Sequence, residues 1–481
     1  MIICFINEPK FEYDIHSLFK AFYPAEEVKV MVKREETSGN ASVFSVLYEK
    51  TYFSMSDAGG TELMRLSTEG VSDRIAEKNL VKRLVYLTLS KLTGKTLEWG
   101  DLTGIRPTKI ASKLLNEGKT DSEILSYMKD TYLVGDKKAG LSLDIAKRER
   151  EILKPLRLKE GGYSLYIGIP FCPTTCLYCS FTSNPIGAWR SKIGDFLDAL
   201  EKEIRFVGKA RKDGILDSIY IGGGTPTSLE APELDRLLSI VAECFDLSKL
   251  LEYTVEAGRP DSITADKLKV LKKHGVTRIS VNPQTMNGET LKLIGRHHTP
   301  EDFVRAFDLA RELGFDNINT DIILGLPGEG EREVQKTIDE LVRLRPDSLT
   351  VHSLAVKRAS ALSEWILKNG YDTMVNTDKT MEIAAAGALA LDMKPYYLYR
   401  QKNMAGNFEN TGYARQGAYG IYNILIMEEL ESIAALGPGS VSKVLTKEGK
   451  LVRDDNVKDV SLYIERIDEM IERKRTLFAL E

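Results

Sequence analysis

The chain has 481 residues, too many for one hydrophobic core, so length alone predicts two or three domains. Its apolar fraction of 43%, charged fraction of 28% and net charge of −4 are ordinary for a soluble protein and do not favour a nucleic-acid partner. No run approaches roughly eighteen uninterrupted apolar residues, which predicts no membrane span, and five cysteines in so long a chain favour a reducing compartment, the cytoplasm.

Residues 1–95 alternate short strand-like runs with helical patterns, which predicts a small N-terminal α+β domain. The first apolar run lacks the basic flank of a secretion signal and is predicted to be a strand. Residues 96–160 are predicted to form a helical connector, whose basic Arg106 and Lys109 could touch an anion or simply face solvent. Strands are predicted at 2–6, 28–32, 42–48 and 52–55, and helices at 13–22 and 74–92.

From residue 161 to residue 370, strands alternate with amphipathic helices, which predicts a parallel sheet covered by helices. One helix is well marked, because Thr299 is an N-cap residue, Pro300 fits the first turn and apolar residues line one face before Gly314. Six strand–helix units fit a partial (β/α)6 barrel better than a closed eightfold one. The strands are predicted at 164–169, 217–221, 253–256, 278–281, 317–324 and 348–352.

Residues 371–481 are predicted to be a mixed, mainly helical C-terminal extension. The extension is predicted to end in one amphipathic helix, with Val460, Ile464, Ile467 and Ile471 on the same stripe.

Three cysteines crowd into eight positions directly after the first strand of the predicted barrel, in the sequence Cys172-Pro-Thr-Thr-Cys176-Leu-Tyr-Cys179. An odd number of thiols cannot all be consumed by disulfides within the loop. Soft thiolates this close together favour an iron–sulfur cluster, and three ligands on a four-iron cube leave one iron open for chemistry. The alternative is a zinc ion bound by the same cysteines and one histidine.

Glycine and polar residues lie at or just beyond the carboxyl ends of later strands, where parallel α/β folds bind their ligands. The glycines of Gly222-Gly-Gly-Thr-Pro-Thr227 would let the backbone approach a ligand closely, although a tight turn would also use them. Asp321 lies in an otherwise apolar strand and needs a partner, which a cofactor ribose or ammonium would supply. Arg296 could bind a carboxylate in bidentate fashion, and it could also pair with Asp321.

The spacing C-x3-C-x-aromatic-C resembles the signature of the radical S-adenosylmethionine (SAM) superfamily. The resemblance implies a 4Fe–4S cluster held by Cys172, Cys176 and Cys179, with its open iron chelated by SAM. One electron then cleaves SAM to methionine and a 5′-deoxyadenosyl radical, so a low-potential donor such as a flavodoxin or ferredoxin is also implied. By the same resemblance, Tyr178 packs against the adenine.

Within the superfamily, the chain resembles the oxygen-independent coproporphyrinogen III dehydrogenases, and over its whole length it resembles their HemZ type. In the barrel, the segments that carry the resemblance are Tyr166-Ile-Gly-Ile-Pro-Phe-Cys172, Gly222-Gly-Gly-Thr-Pro-Thr227, Arg278-Ile-Ser-Val-Asn-Pro-Gln284, Gly295-Arg-His297 and Asn319-Thr-Asp-Ile-Ile-Leu-Gly-Leu-Pro-Gly328. Outside the barrel they are Gly104-Ile-Arg-Pro-Thr-Lys109, Tyr396-Tyr-Leu-Tyr-Arg-Gln-Lys-Asn-Met-Ala-Gly-Asn407 and Ala435-Leu-Gly-Pro-Gly-Ser-Val-Ser442.

The resemblance also implies the residues that contact SAM. Tyr166 should lie near the sulfonium and belong, with the three cysteines, to the catalytic set, and Arg296 should bind the SAM carboxylate. The other SAM contacts that it implies are Gly222, Gly223, Gly224, Thr225, Glu256, Gln284, Asp321 and Ile323.

Two positions depart from the pattern of the dehydrogenases. Those enzymes carry a histidine where this chain has Gly168 and a further cysteine where it has Phe181. Cys179-Ser-Phe181 is closer to relatives that act as heme chaperones, yet the tail lacks their H-N-x-x-Y-W sequence. Three functions therefore stay open: the dehydrogenase, a radical SAM enzyme acting on another tetrapyrrole, and a heme-binding chaperone.

For coproporphyrinogen III, the resemblance implies hydrogen removal from the β-carbon of a propionate, then loss of carbon dioxide and one electron to leave a vinyl group. Two rounds would give protoporphyrinogen IX in anaerobic heme biosynthesis, with residues 371–481 covering the substrate. The tail tyrosines and Met404 could line a flat pocket or belong to the core. Candidate partners of the substrate carboxylates, each also explained as a surface charge, are Lys357, Arg358, Arg400, Lys402 and Arg415. For a chaperone, the candidate axial ligands are His274, His297, His298 and His352, with His16 and Cys244 more remote.

Overall fold

The structure is a computed structural model that describes residues 1–32, 41–104, 106–156, 162–179, 183–357, 360–401 and 404–481. It divides into two compact units, one made of residues 1–148 and 398–410 and the other of residues 149–397 and 411–481. Among the described residues, no helix is long and apolar enough to cross a membrane.

The first unit contains a five-stranded sheet. Its strands are β1 (Ile2–Ile6), β2 (Val28–Met31), β3 (Ser42–Glu49), β4 (Tyr52–Asp57) and β5 (Glu62–Ser67). The order is β2-β1-β3-β4-β5, and β1, whose five residues are all buried, lies parallel to both of its neighbours. The four predicted strands are confirmed within two residues at each end. β5 escaped prediction because none of its side chains is fully buried and its polar and apolar residues alternate weakly.

The described helices of the first unit are α1 (Glu12–Phe22), α2 (Arg74–Thr93), α3 (Thr108–Asn116), α4 (Asp121–Tyr132) and α5 (Asp136–Leu156), the last of which begins in this unit and continues past residue 148. The side chain of Asp73 caps α2 by accepting from the Ile75 and Ala76 amides, and the helix ends at Gly94 with φ of 67°. The apolar faces of α1 and α2 share one core with the sheet. The α+β character predicted for the N-terminal segment is therefore confirmed.

The second unit is built on an eleven-stranded sheet. Its strands, with a short separate pair β7 and β8, are β6 (Gly162–Ile169), β7 (Phe171–Cys172), β8 (Asn184–Pro185), β9 (Ile215–Gly223), β10 (Glu252–Glu256), β11 (Arg278–Ser280), β12 (Ile318–Leu324), β13 (Ser348–Ser353), β14 (Lys394–Tyr399), β15 (Asn410–Ala414), β16 (Ser432–Leu436), β17 (Val441–Leu445) and β18 (Leu451–Asp455). The large sheet has the order β14-β15-β13-β12-β11-β10-β9-β6-β16-β17-β18. Its six central strands are parallel neighbours in chain order, so the (β/α)6 arrangement predicted from the sequence is confirmed.

Helices follow the parallel strands and continue into the tail. They are α6 (Ile193–Ala210), α7 (Ala231–Cys244), α8 (Ala265–Lys273), α9 (Gly288–Leu293), α10 (Pro300–Glu312), α11 (Glu331–Leu344), α12 (Ala361–Asn369), α13 (Asp378–Ala390), α14 (Ile421–Glu428), α15 (Val460–Glu465) and α16 (Ile467–Phe478). The predicted cap of α10 is confirmed, because Thr299 and Asp302 form a reciprocal capping box.

The tail adds strands to both edges of the parallel sheet. β15 runs antiparallel to β13, and β16 runs parallel to β6, so the chain returns beside the first strand of the barrel. The mixed character of the tail is confirmed, but the single terminal helix is wrong: α15 and α16 are separated at Arg466. The stripe that they bury contains Val460, Tyr463, Ile467 and Met470.

Candidate active site

The loop that carries the three cysteines leaves the carboxyl end of β6. Cys172 lies in the short strand β7, which pairs with β8 on the far side of the loop. The amide of Leu177 donates to the Ile294 carbonyl at 3.0 Å, and its carbonyl accepts from the Leu362 amide at 2.9 Å. The loop is therefore tied on both sides to neighbouring segments of the barrel.

All three cysteines of the loop are free thiols, Cys172 buried and the other two half-buried. Cys172 Sγ lies 3.5 Å from Thr225 Oγ1, and Cys179 Sγ lies 3.7 Å from Ser183 Oγ. Burial raises the pKa of the Cys172 thiol to about 11, which a bound metal would reverse because the thiolate is the ligand.

The donor set fits a cluster better than a single ion. Within the described ranges, no group of three His, Cys, Asp or Glu side chains is arranged to hold one metal ion. A zinc ion closed by a histidine would need four ligands that converge at short distances. Three thiols from one loop, with hydroxyl donors beside two of them, match the thiolate ligation and sulfur hydrogen bonding of iron–sulfur proteins.

The glycine run after β9 brings the second strand against the cysteine loop. A Cβ at Gly224 would lie 2.5 Å from the Phe171 carbonyl oxygen, and Gly223 has φ of 102°, which only glycine adopts easily. A Cβ at Gly222 would meet the Glu256 carboxylate at 3.0 Å. These close approaches are between parts of the chain, so the contacts of this run with SAM stay a prediction.

Arg296 is buried beside the loop. Its Nη1 donates to the Asn282 carbonyl at 2.9 Å, and its Nη2 lies 3.4 Å from the Tyr178 hydroxyl. Burial would lower the pKa of this guanidinium, but Tyr178 and Cys176 outweigh it and hold the pKa above its usual range. The buried Nε has no partner among the described residues, so a donor is left for an acceptor such as a carboxylate.

Asp321 does not pair with Arg296. Its carboxylate accepts from the side-chain amides of Asn282 at 2.8 Å and Asn319 at 2.7 Å, and it lies 3.7 Å from His352 Nε2. Burial would raise the pKa of this carboxyl, but His352 and Asn319 outweigh it and lower the pKa. Asn282 therefore links Arg296 and Asp321, a role that the sequence did not reveal although the residue lies in a segment shared with the dehydrogenases.

Gln284 has the most constrained backbone of the predicted SAM contacts. Its φ is 64°, and its main chain bridges to β12 through the Asp321 carbonyl and the Ile323 amide, both at 3.0 Å. The buried Oε1 atom accepts no hydrogen bond from the described residues. A non-glycine residue held at positive φ with an unpartnered amide oxygen is typical of a ligand contact.

Three tyrosines stack inside the second unit. Tyr220 lies 4.6 Å from Tyr422 and 6.2 Å from Tyr166 between ring centroids, with interplanar angles of 23° and 14°. The Tyr220 hydroxyl donates to Glu256, whose pKa burial raises to about 7. Tyr422 comes from the tail helix α14 and was not predicted, because nothing in a short apolar helix shows where it docks.

Gly168 occupies the place of a histidine in the dehydrogenases. A Cβ there would meet the Tyr166 ring at 3.3 Å and the Leu436 carbonyl at 3.4 Å. Gly437, with φ of 91°, crosses so closely that a Cβ on it would lie 2.2 Å from the Gly168 carbonyl oxygen. The absence of a side chain at Gly168 thus fits the return of β16 beside β6.

Several predicted substrate or heme ligands have other partners. Arg400 is buried and donates to the Leu102 and Asn407 carbonyls, and Arg415 donates to the Arg345 and Pro346 carbonyls.

Among the predicted heme ligands, His298 is buried with a pKa lowered to about 4 by burial and by Arg296, whereas His297 is exposed. His274 binds Asp235 at 2.7 Å. Lys357 is half-buried, and Phe181, Arg358 and Lys402 lie outside the described residues.

Comparison with known proteins identifies the family. The Radical SAM superfamily model matches residues 166–341. The chain is 39% identical over 98% of its length to the oxygen-independent coproporphyrinogen-III oxidase-like protein HemZ of Bacillus subtilis, covering 96% of that protein. The chain belongs to this HemZ family of radical SAM proteins. Membership brings a 4Fe–4S cluster and SAM as cofactors, as the cysteine spacing implied.

Two further similar proteins differ from each other in their named functions. The chain is 39% identical to the heme chaperone HemW of Bacillus subtilis over 40% of its own length and 51% of that protein. Coproporphyrinogen III oxidase (HemN) from Escherichia coli, a radical SAM enzyme, shares the fold with a TM-score of 0.50 and 24% identity, over 67% of this chain and 73% of that one. The fold class predicted from the sequence is confirmed by this likeness.

Proposed function

We propose that the chain decarboxylates two of the four propionate side chains of coproporphyrinogen III oxidatively to vinyl groups, giving protoporphyrinogen IX. The observation that carries the radical chemistry is the juxtaposition, at the carboxyl ends of the parallel strands, of three free thiols with the unpartnered Arg296 Nε and Gln284 Oε1. The substrate is supported by the near full-length likeness to a coproporphyrinogen-III oxidase-like protein.

Each group of the site has one task in this proposal. Cys172, Cys176 and Cys179 hold the cluster, and the bound cluster and SAM together supply a radical that removes one hydrogen atom from the substrate. Arg296 binds the SAM carboxylate through its free donor, and the amide oxygen of Gln284 accepts from the SAM ammonium or ribose. The site brings these groups to the open end of the barrel.

Other polar residues complete the cofactor pocket. Asp321, fixed by two asparagines, and Glu256 supply acceptors for SAM, while Tyr178, Thr225 and Ile323 complete its walls. Tyr166 stacks with Tyr220 and Tyr422, and in this proposal it lies near the sulfonium of SAM. Mutagenesis of each residue can test the role proposed for it.

Each of the two propionates that react loses one hydrogen atom from its β-carbon, then carbon dioxide and one electron, and the carbon pair left behind becomes a vinyl group. The electron that cleaves SAM comes from a low-potential donor such as a flavodoxin or ferredoxin, and an external one-electron acceptor takes the electron that leaves the substrate. The unpaired thiols of all five cysteines suit a reducing compartment, the cytoplasm.

The deciding experiment reconstitutes the cluster without oxygen and adds SAM, a strong reductant and coproporphyrinogen III. We expect 5′-deoxyadenosine, carbon dioxide and vinyl products to form together, and to be lost in Cys176→Ser. The matched control is Cys244→Ser, which removes a half-buried thiol outside the loop and should leave all three products unchanged. Deoxyadenosine without vinyl product would overturn the proposed substrate.

The likeness to HemW over 40% of the chain favours one second candidate, a heme-binding chaperone. A chaperone would bind heme stoichiometrically and pass it to an acceptor protein without consuming SAM. Heme binding that survives in Cys176→Ser, together with absence of vinyl product from the wild type, would favour this candidate over the decarboxylase.

A further inference from the structure

Arg259 lies just beyond the carboxyl end of β10, and the reaction scheme above gives it no role. The residue is 3% exposed, although it carries a charge. Its Nε donates to Asp261 Oδ1 at 2.9 Å, and its Nη2 donates to Asp261 Oδ2 at 2.6 Å. This bidentate pair fixes the plane of the guanidinium and compensates its burial.

The remaining nitrogen of Arg259 points into the cysteine loop. Nη1 donates to Thr174 at 2.9 Å from Oγ1 and 3.0 Å from the carbonyl oxygen, and it lies 3.7 Å from Cys176 Sγ. The positive end of the Arg259–Asp261 pair therefore faces the sulfur, and the carboxylate lies on the opposite side of the guanidinium. Thr174 holds the turn between the first two cysteines in place.

Arg259 differs in this respect from Arg296, the other buried arginine beside Cys176. All three nitrogens of Arg259 have partners in the chain, whereas Arg296 keeps an unpartnered Nε. Arg296 can therefore accept a ligand, and Arg259 is already committed to the loop. Besides Asp261, the charged or titratable groups that act on this pair include Arg296, His298 and the thiols of Cys172 and Cys176.

We propose that Arg259 is a positioning residue that raises the reduction potential of the cluster by placing an N–H donor and a buried positive charge against Cys176 Sγ. The inference rests on the proposed ligation of the cluster by the three cysteines. Reduction adds one negative charge to the cluster, and a nearby cation and an N–H···S contact stabilise the reduced state more than the oxidised one. The negative charge of Asp261, which lies farther from the sulfur, lowers the reduction potential.

The test compares the midpoint potentials of reconstituted wild type, Arg259→Met, Arg259→Lys and Asp261→Asn, by anaerobic titration of the electron paramagnetic resonance signal without SAM. In Arg259→Met we expect the ratio of reduced to oxidised cluster at a fixed potential to fall about tenfold, which is about 59 mV for a one-electron couple. Asp261→Asn should shift the potential in the opposite direction, and Arg259→Lys should lie between wild type and Arg259→Met.

The chain offers a matched control, Arg205→Met. Arg205 Nη1 lies 4.0 Å from Cys244 Sγ, an arginine–thiol contact outside the loop, and its removal should leave the potential unchanged. Shifts in the same direction for Arg259→Met and Asp261→Asn would show a merely structural role and overturn the inference, as would an unshifted potential in Arg259→Met with full iron and sulfide content.

The inference can be tested even if one variant fails to fold. If Arg259→Met retains no cluster, Arg259→Lys and Asp261→Asn decide the inference by the direction of their shifts. A wild-type protein that binds no cluster after reconstitution would overturn the proposed function and this inference together. A wild type with a cluster, beside variants of unchanged potential, would overturn the inference alone.

Discussion

The two ends of the parallel strands differ in the partners of their buried polar groups. At the amino ends, carboxylates join the sheet to the tail. Glu252 of β10 accepts from the backbone amides of Ile421 and Tyr422 in the tail, and Glu431 of the tail accepts from the Ser164 hydroxyl of β6. At the carboxyl ends, Gln284 Oε1 and Arg296 Nε are buried without partners among the described residues. The amino ends also contain buried atoms without partners among the described residues, such as Arg278 Nε and Asn317 Oδ1, but there the tail supplies partners to Glu252 and Ser164.

Because of this difference, the residues of the second unit that affect unfolding should be distinct from those that affect SAM binding. Groups at the amino ends should affect unfolding with little effect on SAM, because their partners belong to the chain. At the carboxyl ends, the atoms without partners among the described residues, Arg296 Nε and Gln284 Oε1, should affect SAM binding.

Glu256 should make the stability of the protein depend on pH. Its pKa is raised from 4.5 to about 7 by burial, so between these values the folded chain keeps a proton that the unfolded chain releases. The contribution of Glu256 to the free energy of unfolding should therefore fall as pH rises from about 4.5 to about 7, by an amount on the order of 3 kcal/mol. Urea unfolding at several pH values should show this slope in the wild type and a weaker one in Glu256→Gln. Equal slopes would remove Glu256 as its source.

Arg296→Gln should weaken SAM binding by the protein that remains folded and loaded with cluster. Loss of a charged hydrogen bond to the SAM carboxylate costs about 1.5–3 kcal/mol, which is roughly 10–100-fold in Kd. Calorimetric titration of the cluster-loaded protein with SAM measures the effect, and Arg296→Lys, which keeps the charge without the planar fork, should recover part of the affinity. Unchanged affinity in Arg296→Gln would contradict the assignment.

Glu252→Ala tests the opposite end of the sheet. The Glu252 carboxylate accepts from the first amides of α14, and removing such a cap costs about 1–2 kcal/mol. We expect a lower midpoint of urea unfolding, while the SAM affinity of the folded, cluster-loaded protein stays that of the wild type. A large loss of SAM affinity at full folding would show that the two ends are coupled.

The sequence predicted what depends on local pattern. The cap at Thr299, the strand before the cysteine loop and the cluster itself follow from spacing and residue type over a few positions. Tyr422 and β16 could not be predicted, because their places depend on where the tail docks, and a short apolar run is compatible with helix or strand.

The partners of individual polar groups were the other limit of prediction. Asp321 was expected to need a partner, and it finds two asparagines, one of them Asn282 in the loop after β11. Arg259 had one usable signal, a charged residue between Gly258 and Pro260 directly after a buried strand. Its orientation toward Cys176 required the three-dimensional structure, because Thr174 and Asp261, which fix it, come from different segments.

The smallest expected effect concerns the backbone at Gln284. Glycine tolerates φ of 64° without the cost of about 1 kcal/mol that other residues incur, so Gln284→Gly should unfold at equal or slightly higher urea concentration. The main-chain bonds to β12 do not need the side chain and should persist. SAM affinity should nevertheless fall, because the amide oxygen is gone.

The matched control for Gln284→Gly is Arg345→Gly, at φ of 54° before the amino end of β13. Its exposed ion pair with Asp392 contributes little, so the relief of backbone strain should give a similar change in unfolding with no change in SAM affinity. If Gln284→Gly is stabilised and binds SAM as tightly as the wild type, the strained backbone serves no ligand. If both variants lose affinity, the separation of the two ends fails, because a change at the amino ends then reaches the cofactor.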